Sequence, residues 1–439
     1  MDPTIQLTIF HHFPILPMEW NLKNLAINNP EVFLDALNLQ LLRKSKGGSG
    51  ELRCTDDGNT ESIRWDNFVS GDEMNVPLRW CLTQNQKGDL LQLVVQQENG
   101  NLDSAIEKEL EEFIQHALNE ASAIVNRDFV IVSFLYYIGV QLDGEYEFPG
   151  FTLAPAVWDD PYPILANTER VLKLEIPVSA KSHSEANAKA IFITRQAAAR
   201  LSLLLNIGIY ESDFTNRWVK PKGEHGYYIN KCERHELGFS PPYFISEKDP
   251  LSADQKTKGQ FAGGLDANYM MLFDYRMSLP SESKQIFQTL HEDTNPRVKA
   301  FDMAARLTQV ALVGGRQFSS VELSYKVAAI EAITQHDEKW SGKKPSEDFK
   351  TFMTAHLPTD PALTKIVNQL YGKLRSAHFH AGSFALGEFD PPIPYGTAFM
   401  NPQFTQRMQF KRDCLTALRT AIVEWIRRSF LEPEAKSVE

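Results

Sequence analysis

Cysteine is scarce and scattered in this chain: Cys54, Cys81, Cys232 and Cys414 are the four among 439 residues, and no CxxC pair occurs. That spacing excludes a disulfide framework and a zinc ribbon. Long apolar runs are missing too. The longest, FVIVSFLYYIGV at 129–140, is far short of the roughly 20 residues a membrane-spanning helix needs and reads as a buried strand. No GxSxG, HExxH, GxGxxG or GxxxxGK followed by Ser or Thr occurs, which removes the usual signatures of serine hydrolases, zinc peptidases and nucleotide-binding loops. There is no internal repeat and no low-complexity segment beyond short loops. The opening MDPTIQLTIF carries an acid and no Lys/Arg cluster ahead of an apolar stretch, unlike a signal peptide. The expected location is the cytoplasm, with no membrane partner.

A metal site has one weak candidate, His225, Cys232 and His235 in GEHGYYINKCERH. No fourth ligand follows at a familiar spacing, so the expectation is no metal and no cofactor. The net charge of −11 argues against a protein that coats nucleic acid indiscriminately. The charge is uneven, however. Residues 295–431 hold 18 Lys+Arg against 12 Asp+Glu, whereas the remainder holds 27 against 44. A locally basic domain on an acidic chain can draw a polyanion to one place only.

The length implies two or three domains. Residues 1–150 alternate apolar stretches such as TIQLTIFHHF, LLQLVVQQ and FVIVSFLYYIGVQL with Gly, Asn and Asp breaks, the pattern of strands. Among them, residues 103–125 place Ile106, Leu110, Phe113, Ala117 and Ile124 at helical steps with acids on the other face. Residues 151–284 read as a second α+β part, whose helix is expected to be capped by Ser184 and ended by Gly208. From 285 to 432 the pattern is helices only. One of them is expected behind a Ser346 cap, with Glu347 and Asp348 in its first turn, and another over PALTKIVNQLYGKLRSAHFHAG, from Pro361 to Gly382. The last is a long helix that buries Phe410, Leu415, Leu418, Ile422, Trp425 and Ile426. The fold class is therefore an α+β N-terminal region followed by a C-terminal all-α helical bundle.

The chemistry concentrates in LYGKLRSAHFHAG, residues 370–382. On a straight helix of about 100° per residue, Ile366, Val367, Leu370, Leu374 and Ala377 form one apolar stripe. Arg375 falls at its margin and His378 within it, beside Tyr371. His380 lies nearly on the other side of the helix, since five residues advance about 140° beyond a full turn. Two arrangements would make Arg375 and His380 useful together: a helix distorted just before HAG, or a site built from two copies of the helix across a twofold axis. Such a pair suits a phosphodiester. Imidazole moves protons near neutral pH, and guanidinium holds phosphate oxygens as charge develops. With the RNA 2′-hydroxyl as nucleophile no metal is needed. Glu331, in SYKVAAIEAI, sits on or beside an apolar stripe, where an unpaired carboxylate is costly. Arg375 is the expected partner, in a pair that either orients the helices or also supports catalysis.

Three features together, the helix VELSYKVAAIEAI, the helix LYGKLRSAHFHAG and the long final helix, resemble the Apea-like branch of the HEPN superfamily. The resemblance covers 285–431. HEPN ribonucleases carry Arg, four to six residues, then His; here SAHF separates Arg375 from His380. The matching positions are Tyr371, Arg375, Ser376 and His380. The branch usually places Gly directly after the His, whereas here Ala381 precedes Gly382, which keeps His378 as a second candidate. The resemblance implies a composite, metal-independent RNase site at a homodimer interface. It points to a defence or toxin-like effector, with RNA as substrate and an unidentified trigger acting on the N-terminal region. The competing expectation is a non-catalytic HEPN module that dimerises or senses a ligand. Arg407, Lys411, Arg412 and Arg419 of the final helix are the expected RNA contacts.

Overall fold

The computed structural model describes residues 18–22, 30, 32–37, 51–55, 60–70, 75–85, 89–97, 104–122, 126–156, 169–211, 216–219, 233–236, 243–245, 257–266, 276–337, 339–340, 342, 344–390 and 401–432. For 51–55, 60–61, 63–70, 75–76, 122, 169, 216–219, 233–236, 243–245 and 373 it describes the backbone alone. Two expectations lie outside the described residues: the strand TIQLTIFHHF and the His225, Cys232 and His235 side chains. The chain divides into two compact units, residues 1–129 with 179–188, and 130–178 with 189–439. The expected seams near 150 and 284 both fall inside the second unit.

The first unit is an antiparallel sheet backed by helix. Strands β1 (Met18–Asn21), β2 (Glu51–Thr55), β3 (Thr60–Ser70), β4 (Asn75–Asn85) and β5 (Leu90–Gln97) lie in the order β1-β5-β4-β3-β2. Along β4, Leu78, Trp80 and Leu82 are buried at alternate positions. Leu82 faces Leu93 and Trp80 faces Val95 across to β5, so one face of the sheet is apolar, as the strand period requires. Helices α1 (residues 32–37) and α2 (Ser104–Ser122) join that core through Phe33, Leu37, Leu110, Ile114, Ala117 and Ala121. The α2 stripe therefore centres on Ile114. Of the residues expected there, Ile106 and Phe113 are only partly buried, and Ile124 is outside the described residues.

The second unit contains β6 (Arg127–Ile138) from Val130 on, β7 (Gln141–Leu142), β8 (Tyr146–Phe148), β9 (Phe151–Pro155) and β10 (Glu169–Ala180) up to Val178. Helix α3 (His183–Leu205) follows, in this unit from Lys189 on, then β11 (Ile209–Tyr210), β12 (Asn216–Val219), β13 (Glu233–Glu236), β14 (Tyr243–Ile245) and β15 (Arg276–Met277). The main sheet runs β11-β6-β10-β9-β8, with β14 also paired to β6. Strand β6 is interior to the sheet and buried on both faces over much of its length, which explains why its sequence is a continuous apolar run rather than an alternation.

Helix α3 is capped by Ser182, whose Oγ accepts from the Glu185 backbone N–H at 3.0 Å, while the Glu185 carboxylate accepts from Lys181 N–H at 2.9 Å. This reciprocal box displaces the expected Ser184 cap by two residues. At the other end Asn206 takes the left-handed conformation, φ +54°, so Gly208 is not the helix terminator. Gly208 is needed for close approach: a Cβ there would stand 2.9 Å from a Leu312 backbone carbon.

Beyond β15 every described element is helical: α4 (Ser283–Glu292), α5 (Pro296–Gly314), α6 (Ser319–His336), α7 (Pro345–His356), α8 (Pro361–Gln369), a π-wound segment (Leu370–Ser376), α9 (Ala377–Ala381), α10 (Pro402–Ile426) and a second π turn (Arg427–Leu431). Asn295, Asp360 and Asn401 cap α5, α8 and α10. Ser346 does not cap α7. Lys344 occupies the N-cap position, because Pro345 fits the first helical turn and starts the helix earlier. On α10, Leu418, Ile422, Trp425 and Ile426 are buried as expected, whereas Phe410 and Leu415 are only half-buried. No helix among the described residues is long and apolar enough to cross a membrane.

Sheet and helices of this unit share one core. Phe287 of α4 lies 4.4 Å from Phe148 and 5.6 Å from Phe151 between ring centroids. Asp302 of α5 accepts from Arg200 of α3 at 2.7 Å. Phe287→Ala should lower unfolding stability by about 3–5 kcal/mol, the range for emptying a buried aromatic site, as read by urea titration. A loss below about 1 kcal/mol would mean that this ring does not join the two layers.

Candidate functional site

Helix α6 is buried around nearly its whole circumference, with Leu323, Val327, Ala329, Ile330 and Ile333 inside. A helix so enclosed carries any charged side chain into the interior. Glu331 is such a side chain, with 6% of it exposed. Its Oε2 accepts from Arg375 Nε at 3.0 Å. The expected partnership of these two residues is present in the geometry, whatever use it serves. Glu331 Oε1 is buried and has no hydrogen-bond partner among the described residues.

Arg375 reaches Glu331 from a helix that changes its winding. The expected single helix over 361–382 is α8, then seven residues of π-helix from Leu370 to Ser376, then α9. A π segment bonds i to i+5 and turns less per residue than an α-helix, so it reorients the side chains that follow it. Leu370 and Leu374 remain buried while Arg375 is held toward α6. The guanidinium carbon lies 5.7 Å from the Tyr371 ring centroid and 5.3 Å from that of Phe379. Burial, reinforced by the nearby Glu331 carboxylate, raises the Tyr371 phenol pKa above its ordinary value. Phe379 was not singled out from the sequence, although its position four residues after Arg375 was the available signal.

The two histidines differ. His378 is half-buried rather than a core residue; its Nδ1 lies 3.4 Å from the Ser383 carbonyl and its ring packs against Phe379 and Phe384. His380 is exposed and makes no hydrogen bond, ion pair or ring contact among the described residues. Arg375 and His380 form no hydrogen bond with each other among the described residues. Ser376 is half-buried at the end of the π segment. Gly382 ends α9 with φ +60°.

The loop after α9 returns to the start of α6. Ser320 Oγ donates to Glu388 Oε2 at 2.9 Å and accepts from Leu386 N–H at 3.1 Å. Phe384 and Phe389 pack on Phe318, and Phe389 is still 70% exposed. The expected RNA contacts on α10 are unequal. Arg407 pairs with Asp390 at 2.6 Å. Arg419 donates to the carbonyl oxygens of Leu203, Leu204 and Leu265, which makes it a brace between elements. Lys411 and Arg412 border a cleft. Among the described residues no group of three or more His, Cys, Asp and Glu could hold a metal ion.

No family model, no curated protein and no solved structure matches the chain.

Arg375→Ala would leave the Glu331 carboxylate buried without its partner. The expected loss is about 2–4 kcal/mol, above the value of a surface pair. Adding Glu331→Gln should return part of it by removing the buried charge. If urea titrations give a loss under about 0.5 kcal/mol for Arg375→Ala, the pair is no stronger than a surface ion pair.

Proposed function

We propose that the chain is a metal-independent endoribonuclease of the Apea-like HEPN kind, working as a homodimer. The observation that carries this reading is a held guanidinium and an imidazole at one helix end: Arg375 is fixed by Glu331, and His380 is exposed and unengaged among the described residues. The reading takes Arg375 from one protomer and His380 from its partner, as the family resemblance implies.

The chemistry is a transesterification. An imidazole removes the proton of an RNA 2′-hydroxyl, whose oxygen attacks the adjacent phosphorus. The phosphorus–5′-oxygen bond breaks as that oxygen takes up a proton, and a 2′,3′-cyclic phosphate is left. The guanidinium answers the charge that grows on the phosphoryl oxygens. The α+β portion serves in this reading as the part that receives a trigger in an antiviral or toxin-like effector, and the acidic excess outside 295–431 would hold cellular RNA away from the basic part.

A second reading has its own observation. Arg375 is already neutralised by Glu331 and only 25% exposed, which suits a purely structural pair in a non-catalytic dimerisation or ligand-sensing module.

Mixed RNA incubated with the protein in EDTA separates the two. The nuclease reading expects fragments ending in 2′,3′-cyclic phosphate, and a loss of at least about 100-fold in His380→Ala, the scale of a missing general acid or base. His378→Ala should retain most activity. Mixing Arg375→Ala with His380→Ala chains should restore cleavage, with one intact site per heterodimer. No cleavage by the wild-type chain with any RNA offered, or full activity in His380→Ala, would favour the second reading.

A further inference from the structure

A cleft of about 680 Å³ opens where α6 and α10 approach the end of α3. Lys326, one turn and a half before Glu331 on α6, lines it. The residue is 3% exposed, and its ammonium donates to Asn206 Oδ1 at 3.0 Å and pairs with Glu322 at 3.1 Å. An ammonium carries three protons. Two have acceptors, and the residue lines the cleft.

The walls are cationic as well. Lys411, Arg412 and Arg419 line the same cleft, against the two carboxylates Glu322 and Asp266. Both carboxylates are already engaged, Glu322 by Lys326 and Asp266 by Arg427, which stands outside the lining. Burial is the main force holding the Lys326 pKa below its usual value; Glu322 opposes it, and the charges of Arg419 and Lys411 add to it by repulsion. An anion placed among these cations would relieve that repulsion. Met408, which is 50% exposed, and Leu415 supply an apolar stretch of the wall.

We propose that this cleft binds a small organic phosphate, with its anionic end on Lys326, Lys411 and Arg412 and its apolar part against Met408 and Leu415. The volume is within the range of small-molecule sites, about 300–1,000 Å³. Guanidinium and ammonium together are the usual phosphate partners. The alternative occupant, a passing RNA strand, fits less well. The innermost cation is buried rather than spread along a surface track of the kind a strand follows.

Calorimetric titration of the full chain with ATP, in EDTA and low salt, tests the proposal. The expected result is saturable binding with a Kd on the order of micromolar, detectable binding of inorganic pyrophosphate and none of adenosine. Lys326→Met should weaken ATP binding at least about tenfold, but its effect on the interior makes the surface variant Lys411→Gln/Arg412→Gln the safer measure. That double variant should fold normally and weaken binding by a similar factor. Absence of heat up to millimolar ATP overturns the proposal, as does an unchanged Kd in the double variant. So does binding of a single-stranded RNA oligonucleotide, and not of ATP or pyrophosphate, that depends on Lys411 and Arg412. His380→Ala is the background for that arm, so that the RNA stays whole. Because the readout is binding, failure here leaves the cleavage reading untouched, and the reverse also holds.

Discussion

The enclosure of α6 is the constraint on which the rest of the helical region turns. A helix surrounded on nearly all sides cannot release its charged side chains to water, and an unpaired charge in that position costs more than the fold can readily offset. Each charge on α6 must therefore fix a neighbour. Glu331 fixes Arg375, and through it the π-wound segment. Lys326 fixes Asn206 at the end of α3 and Glu322 on its own helix. The two charges lie five residues apart and so point to different sides of α6, one toward the helix end that bears the histidines and the other toward the cleft.

The π winding belongs to the same constraint. A regular α-helix through 361–382 would set Arg375 at the edge of its apolar stripe. The wider turn keeps Leu370 and Leu374 in the core while Arg375 meets a buried carboxylate and lies over two aromatic rings. The loop beyond α9 is anchored to Ser320, at the start of α6, through Glu388 and Leu386. The start and the middle of α6 thus hold both the helix bearing His380 and the loop that follows it. His380 itself is left exposed.

Much of this was legible in the primary structure where one residue type had a single physical solution. The strand at 90–97, the helix over 104–122 and the all-helical pattern after 285 follow from apolar period alone. Glu331 is expected to need a cation because an acid on an apolar stripe is costly unpaired, and Arg375 is the cation it meets. Other readings failed for local reasons. Ser184 and Ser346 each look like a cap, but Ser182 with Glu185 and Pro345 with Lys344 start those helices instead. Capping residues within two positions of each other compete, and the geometry of the preceding chain decides between them.

Periodicity, charge distribution and the Arg/His spacing were thus set by the order of residues, because each depends on neighbours within a few positions. The cleft was not. Its lining comes from residues 206, 266, 322–326 and 405–420, and no spacing rule links positions that distant. Nor does sequence reveal that Arg419 braces three backbone carbonyls while Lys411 and Arg412 do not: all three read as equivalent cations on one helix until the packing of α3 and the loop at Leu265 takes up one of them. Local order selects the elements. The shared burial of groups far apart in the chain decides which of their charges remain available for a ligand.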